Sequence, residues 1–374
     1  MTAGKRKIYM ILYVLDIIII SSNMKGCITM PNPINENRCL WLDILKAFLA
    51  LIIIMQHSIS HSWTTLPIQS VEWQILNIFF LFSRMAVPLF IMCSGIGMLS
   101  KERSISVVWK KNIFNLFKTY LCWMCIYSIF DMISLYASGY TEIRLYVNAF
   151  LKNILFGRYH TWFIPMLLGL YVITPFLYTI AQKKEHLQYF IILSIVFTTI
   201  LPITQYFDSL SRLSVSIQNI HMNFVVGYSM YYLLGYYIYH HIRLKSFKHA
   251  KGLFLILFVG ACFISSVLSI HTQIPNQELF IEFSFIVVVL NSLLLIIFRQ
   301  QFETKKSNMH LFKKISSLSK YGIAIYIMHP LFLWAIPENA GLMSLLYAII
   351  IWGISILISI LIKKIPFINK ILYI

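Results

Sequence analysis

Apolar residues run along this chain in long blocks separated by short polar segments. Blocks long enough to cross a bilayer lie near 41–60, 75–99, 113–135, 162–181, 187–207, 222–241, 252–271, 279–298, 319–337 and 342–362. Each is close to the roughly 20 residues that a helix needs to traverse the hydrocarbon core. The pattern predicts an all-α, polytopic transmembrane helix bundle of about ten spans. Pro88, Pro165, Pro175, Pro202 and Pro330 fall inside these blocks. Neighbouring helices are expected to absorb the kinks they cause.

The polar segments set the orientation. Alternate loops carry 25 of the 31 lysines and arginines, and the opposite set carries only Arg144, Lys152, Arg158 and Arg212. Basic loops stay in the cytoplasm, so both termini are expected inside. The same rule accounts for a formal net charge of +18, which implies no nucleic-acid partner. With 59% hydrophobic and 12% charged residues and a mean hydropathy of +0.76, the chain is far from soluble composition. Almost all its length is spent on spans, so any chemistry belongs inside the bundle or at its mouths.

The two remaining basic residues, Lys46 and Arg84, lie within spans. On the first span, Lys46 and His57 are eleven positions apart. At about 100° per residue, their side chains fall within about 20° of one face. Asp43, three residues before Lys46, shares that face. Charged groups in a membrane helix are costly and usually mark function. A structural Asp–Lys pair with an unrelated histidine is the other reading.

Other polar features say less. Cys122 and Cys125 form a C-x-x-C on an apolar helix and read as small buried hydrophobes, like Cys27, Cys39, Cys93 and Cys262. No Cys/His cluster of metal-binding spacing accompanies them, so no metal is expected. His61 follows His57 by one turn but has no third ligand in view. Residues 1–37 read as an N-terminal cytoplasmic or interfacial segment, or as an upstream extension with Met24 or Met30 as the true start. Within it, Ile8–Ile20 is too short to span and carries Asp16. A single membrane domain then covers 38–374.

Four segments together resemble the bacterial acyltransferase-3 family of integral membrane acyltransferases. The first is Asp43, Lys46 and His57, which match that family's basic residue, ten-residue gap and histidine. The family usually has arginine at the basic position, and lysine keeps the charge without the planar fork. The second is Ser83-Arg84-Met-Ala-Val-Pro88-Leu-Phe90 through Ser94-Gly95. The third is His160-Thr-Trp162-Phe163 through Tyr171 and Pro175. The fourth is Ser319-Lys320-Tyr321-Gly322 through Tyr326 and His329-Pro330.

The resemblance implies a stand-alone O-acetyltransferase of the bacterial cytoplasmic membrane. Acetyl-CoA would be the donor. A cell-surface polysaccharide or its lipid-linked precursor would be the acceptor, with membrane lipid as surroundings. On that footing His57 and Asp43 are expected to be catalytic, and Lys46 and Arg84 to hold the donor. His160, Trp162 and His329 are expected to bind the acceptor. Histidine suits removal of a hydroxyl proton. His57 lies roughly 24 Å along its helix from the cytoplasmic side, and Lys46 about 16 Å nearer that side. A donor entering from within and reaching outward fits that order. Direct transfer and an acetyl-histidine relay both fit.

For several residues a second reading stands. Arg84 also suits a structural pair, His329 a packed helix histidine, and Trp162 an interfacial aromatic belt. Glu282, near the outer end of the eighth block, and the outer segment 136–161 are further candidates for the acceptor's entrance. A polysaccharide or acyl-group transporter without transferase activity is the alternative function, although no paired, interrupted helices mark an inverted repeat.

Overall fold

A computed structural model describes residues 40–202, 225, 227–304 and 314–365. The expectations for residues 1–37, for Cys27 and Cys39, and for both termini fall outside them. The described chain is a bundle of α-helices. Seven helical segments are long and apolar enough to cross a membrane, among the described residues. They are Leu40–Thr65, Val71–Leu99, Ile105–Ala137, Phe163–Gln182, Ala250–Thr272, Phe285–Phe302 and Met343–Lys363. All seven coincide with runs read from the sequence.

The other three expected spans take different forms. The fifth begins as a helix, Lys184–Ile195, and passes into a π-turn, Val196–Ile200. The sixth keeps a 13-residue helix, Ser229–His241. The ninth is split into Gly322–Met328 and Pro330–Leu333. Pro330 has no N–H to donate, and its ring would clash with the carbonyl of Tyr326, so the helix cannot continue through it.

Helix α1 (Leu40–Thr65) lies in the middle of the bundle. It packs against α2 (Val71–Ser83), α3 (Ala86–Leu99), α10 (Phe285–Thr304), α11 (Gly322–Met328) and α13 (Met343–Lys363). Between these lie α4 (Phe114–Ala137), α5 (Ile143–Phe156), α6 (Phe163–Gln182), α7 (Lys184–Ile195), α8 (Ser229–His241) and α9 (Ala250–Thr272). Helix α12 is the short Pro330–Leu333 piece.

The second expected span is two helices, α2 and α3, joined at Arg84 and Met85. Pro88 is the cause. It is accommodated best in a first helical turn, where its missing N–H costs nothing, although Pro175 is carried inside α6. The break therefore falls just before it and places Arg84 in mid-span. Beyond the break, α3 and α8 form the tightest crossing of the bundle. A Cβ on Gly235 would lie 2.6 Å from the Met92 Cα. A Cβ on Gly95 would lie 2.7 Å from the Tyr232 carbonyl carbon. Only glycine lets the two backbones meet so closely, a device common between membrane helices.

Residues 143–156 of the outer segment form α5. At about 1.5 Å per residue, its 14 residues extend roughly 21 Å, too short to span. The Asp131 carboxylate anchors it to α4, accepting from Asn153 Nδ2 and from Arg158, each at 2.7 Å.

Candidate active site

The face read from the sequence is present on α1. Lys46, Ala50, Ile53 and His57 follow one another at spacings of four, three and four, which align on a helix. Near the start of α1, Asp43 is buried and Lys46 half-buried. Both act electrostatically on Cys93 of α3, so all three belong to one neighbourhood. Above them, Ala50 and Ile53 line a narrow apolar slot closed by Phe90, Phe163, Gly322, Ile323 and Tyr326. The slot lies between Lys46 and His57.

At its outer end three histidines meet. The His57 ring stacks on His329, with centroids 5.3 Å apart and planes at 30°. His160 meets His329 edge-on at 5.9 Å. Tyr159 closes on His57 at 5.7 Å and on His160 at 5.2 Å. Tyr127 approaches His160 to 5.4 Å, and Tyr326 lies 6.1 Å from His329. The three imidazoles come from α1, from the turn before α6 and from the α11–α12 break. Among the described residues, no group of three His, Cys, Asp or Glu is arranged to hold a metal.

Each ring is placed by an identifiable local cause. Because residue 330 is proline, the Tyr326 carbonyl has no helical partner. The His329 Nδ1–H takes its place, 2.6 Å from that oxygen. A carbonyl only accepts, so Nδ1 carries the proton and Nε2 of the neutral ring is left as the lone-pair side. Nε2 is buried and has no hydrogen-bond partner.

His160 sits in a tight turn. Gly157 has φ of +67°, which favours glycine, and a side chain there would also crowd Tyr120 and Thr161. The Thr161 hydroxyl donates to the Arg158 carbonyl at 2.9 Å, and the Tyr326 hydroxyl donates to the His160 carbonyl. Neither ring nitrogen of His160 has a well-formed hydrogen bond. The nearby Ile327 carbonyl is taken by the Tyr127 hydroxyl at 2.6 Å. Burial, then the neighbouring His57 and Arg158, push the His160 imidazole down to about 3, so it is neutral at physiological pH.

Arg84 and Arg158 are cations beside this cluster, Arg158 over the Tyr127 ring at 4.8 Å. Arg84 is an electrostatic neighbour of His57 and of Tyr228. Its Nε is buried without a partner, and no carboxylate lies within ion-pair distance of it among the described residues. Buried polar atoms are nearly always satisfied, so the unpartnered nitrogens of His160 and His329 and the Arg84 Nε are atoms that a ligand could satisfy.

Trp162 lies at the rim and is 42% exposed. Its ring is 5.8 Å from Tyr228, whose hydroxyl donates to the Glu282 carboxylate. His61 is exposed and outside the cluster.

The structure thus brings His57, His160 and His329 together, with Arg84 and Trp162 beside them. Asp43 and Lys46 stay apart from the cluster. Asp43 is 14 positions before His57, roughly 21 Å along α1, so it makes no contact with that imidazole. Sequence reasoning missed Tyr127 and Tyr159 and read Tyr326 only as part of a motif; the three form the aromatic wall of the outer chamber around the histidines. A helix-breaking proline directly after His329 was the one signal that could have marked this histidine as specially held.

A larger cavity of about 220 Å³ lies elsewhere, near the C-terminal ends of α3 and α6. Lys101, Glu102 and Arg103 line it. Arg103 is committed to the carbonyls that end α3, including Gly97 at 3.0 Å, and Lys101 is offset by Glu102. That leaves the cavity little net attraction for an anion.

Comparison with known proteins adds one match. The model of a family described as an acyltransferase domain covers residues 40–365. No curated protein and no solved structure matches the chain.

Proposed function

The chain belongs to the acyltransferase-3 family, and from that premise we propose that it is a membrane O-acetyltransferase. In this reading it moves an acetyl group from acetyl-CoA to a hydroxyl of a cell-surface polysaccharide or its lipid-linked precursor. It works in the bacterial cytoplasmic membrane, with ten spans and both termini inside. The observation that carries the reading is the line on α1 from Lys46, past the apolar slot, to His57 in a cluster of three histidines.

The donor's anionic part lies toward Lys46, in the neighbourhood that Asp43 and Cys93 share. Its uncharged arm runs outward between Lys46 and His57, widening a slot whose free volume is about 10 Å³, and this brings the thioester to His57. The acceptor oxygen attacks the thioester carbonyl carbon, and an imidazole takes the hydroxyl proton. The new C–O bond forms as the C–S bond breaks, and the sulfur leaves with its electron pair. The Arg84 guanidinium faces the oxygen on which negative charge develops. His57 is the base in this reading. Its lack of a tight partner leaves a nitrogen available, and the stacked His329 holds its plane. His160 and Trp162 bound the acceptor side.

The test is transfer of labelled acetyl from acetyl-CoA to membrane glycans, normalised to protein level. His57→Ala should lower transfer by about 10²- to 10⁴-fold. Normal transfer by a stable His57→Ala protein would remove the assignment and favour a carrier without chemistry.

A further inference from the structure

Beyond the histidine cluster, the loop from Gln273 to Ser284 is held more tightly than its length would suggest. The Ser265 hydroxyl donates to the Asn276 carbonyl, and the Asn276 N–H donates to Ser269 Oγ at 2.8 Å. Phe280 is fully buried and meets Phe258 edge-on at 6.0 Å. The Ser284 hydroxyl closes the loop on the Leu279 carbonyl at 2.6 Å. These contacts fix Glu282 in place.

Two tyrosines of the α8 end then hold that residue. The Tyr231 hydroxyl donates to the Glu282 carbonyl, and the Tyr228 hydroxyl donates to Oε2 of its carboxylate. The second oxygen, Oε1, makes no hydrogen bond among the described residues. A carboxylate with a free oxygen is too costly to face hydrocarbon, so this side opens to water. Tyr228 also backs Trp162, with ring planes tilted by 32°. Trp162 also meets Phe163 at 6.4 Å and is 42% exposed, so part of its ring is open.

An exposed indole beside a fixed, half-satisfied carboxylate is what a sugar ring needs. The indole takes its apolar C–H face, and the carboxylate oxygen accepts from its hydroxyls. Trp162 follows His160 by two residues, so their Cα atoms are no more than about 7 Å apart.

We infer that Trp162, Tyr228 and Glu282 form a pyranose-binding subsite, in which the ring stacks on Trp162 and donates a hydroxyl to Glu282. The inference rests on the acetyl-transfer reading for its purpose but not for its geometry. It assigns acceptor recognition to Glu282, a residue outside the chemistry at His57.

The experiment is saturation-transfer NMR on the full-length protein in a detergent without a sugar headgroup. The probes are methyl glycosides of glucose, galactose, rhamnose, N-acetylglucosamine and N-acetylgalactosamine, with glycerol as the control polyol. At least one glycoside should receive saturation at its ring C–H protons, and glycerol should not. Glu282→Gln and Trp162→Ala should each weaken that binding roughly tenfold or more, the scale of a hydrogen bond to a charged group. Trp162→Phe, which keeps a ring, should retain most of it. Thermal midpoints certify folding, and if Trp162→Ala fails to fold, Glu282→Gln decides.

No glycoside bound by the wild type, or equal binding by a folded Glu282→Gln protein, would overturn the subsite. Coenzyme A titrated into the same samples separates the two claims. Sugar binding without coenzyme A binding keeps the subsite and removes the transferase reading. The reverse pattern does the opposite.

Discussion

Gly95→Ala tests whether the close crossing of α3 and α8 holds the outer chamber together. An added Cβ would lie 2.7 Å from the Tyr232 carbonyl carbon and 3.0 Å from its Cα. Ordinary carbon contacts are about 3.5–4.0 Å, so the helices must part by roughly 1 Å. The obstacle is backbone and cannot rotate aside. Overpacking of this kind costs about 1–3 kcal/mol, and the upper end applies here. Gly97 is the internal control, because a Cβ there meets nothing within 4 Å. Both substitutions gain about 1 kcal/mol of helix propensity, which cancels in the comparison. Gly95→Ala should therefore be less stable than Gly97→Ala by about 3 kcal/mol, measured by unfolding in detergent. Because α8 leads from Tyr228 and Tyr231, which hold Glu282, the same change should weaken acceptor use more than donor use. Equal stability of the two variants would refute the crossing as described.

Three further outcomes follow from the same structure. Asp131→Asn removes the charge from the pair with Arg158, whose side chains are 32% and 31% exposed. It should cost about 1 kcal/mol or less in unfolding free energy, yet lower transfer by loosening the turn that carries His160. Lys46→Arg should be tolerated, whereas Lys46→Ala should raise the KM for acetyl-CoA and leave that for the acceptor unchanged in steady-state assays. Reporter fusions at Lys184 and Ile274 should read cytoplasmic and external respectively, and the reverse result would invert the depth argument for His57.

The parts of the site on a single helix were legible in the sequence. The alignment of Lys46 with His57 needs only the helical period, and the slot-lining Ala50 and Ile53 occupy that same face. The seven long helical segments were legible because each contains an apolar run of spanning length. Breaks were harder to see. Pro88 pointed to a kink, but its effect is felt at Arg84 and Met85, because a proline is accommodated best in a first turn. The meeting of His57 with His160 and His329 depends on how three separate segments pack, which no local pattern encodes. The separation of Asp43 from His57 is plain once both sit on one straight helix. Tyr127 and Tyr159 went unnoticed, and Tyr326 was read only as part of a motif, because aromatic residues are everywhere in this chain. Their ring contacts with the three histidines distinguish them.

The central claim is that an acyl group given at the Lys46 side arrives at a glycan on the His57 side. Its most direct test uses proteoliposomes with the protein in one orientation and a glycan acceptor from the host envelope confined to the His57 side. Labelled acetyl-CoA is supplied only to the Lys46 side. The account predicts label on the acceptor across the bilayer, lost with His57→Ala and slowed with Lys46→Ala. Equal labelling when acetyl-CoA is supplied only to the His57 side, or transfer that persists in a folded His57→Ala protein, would contradict it.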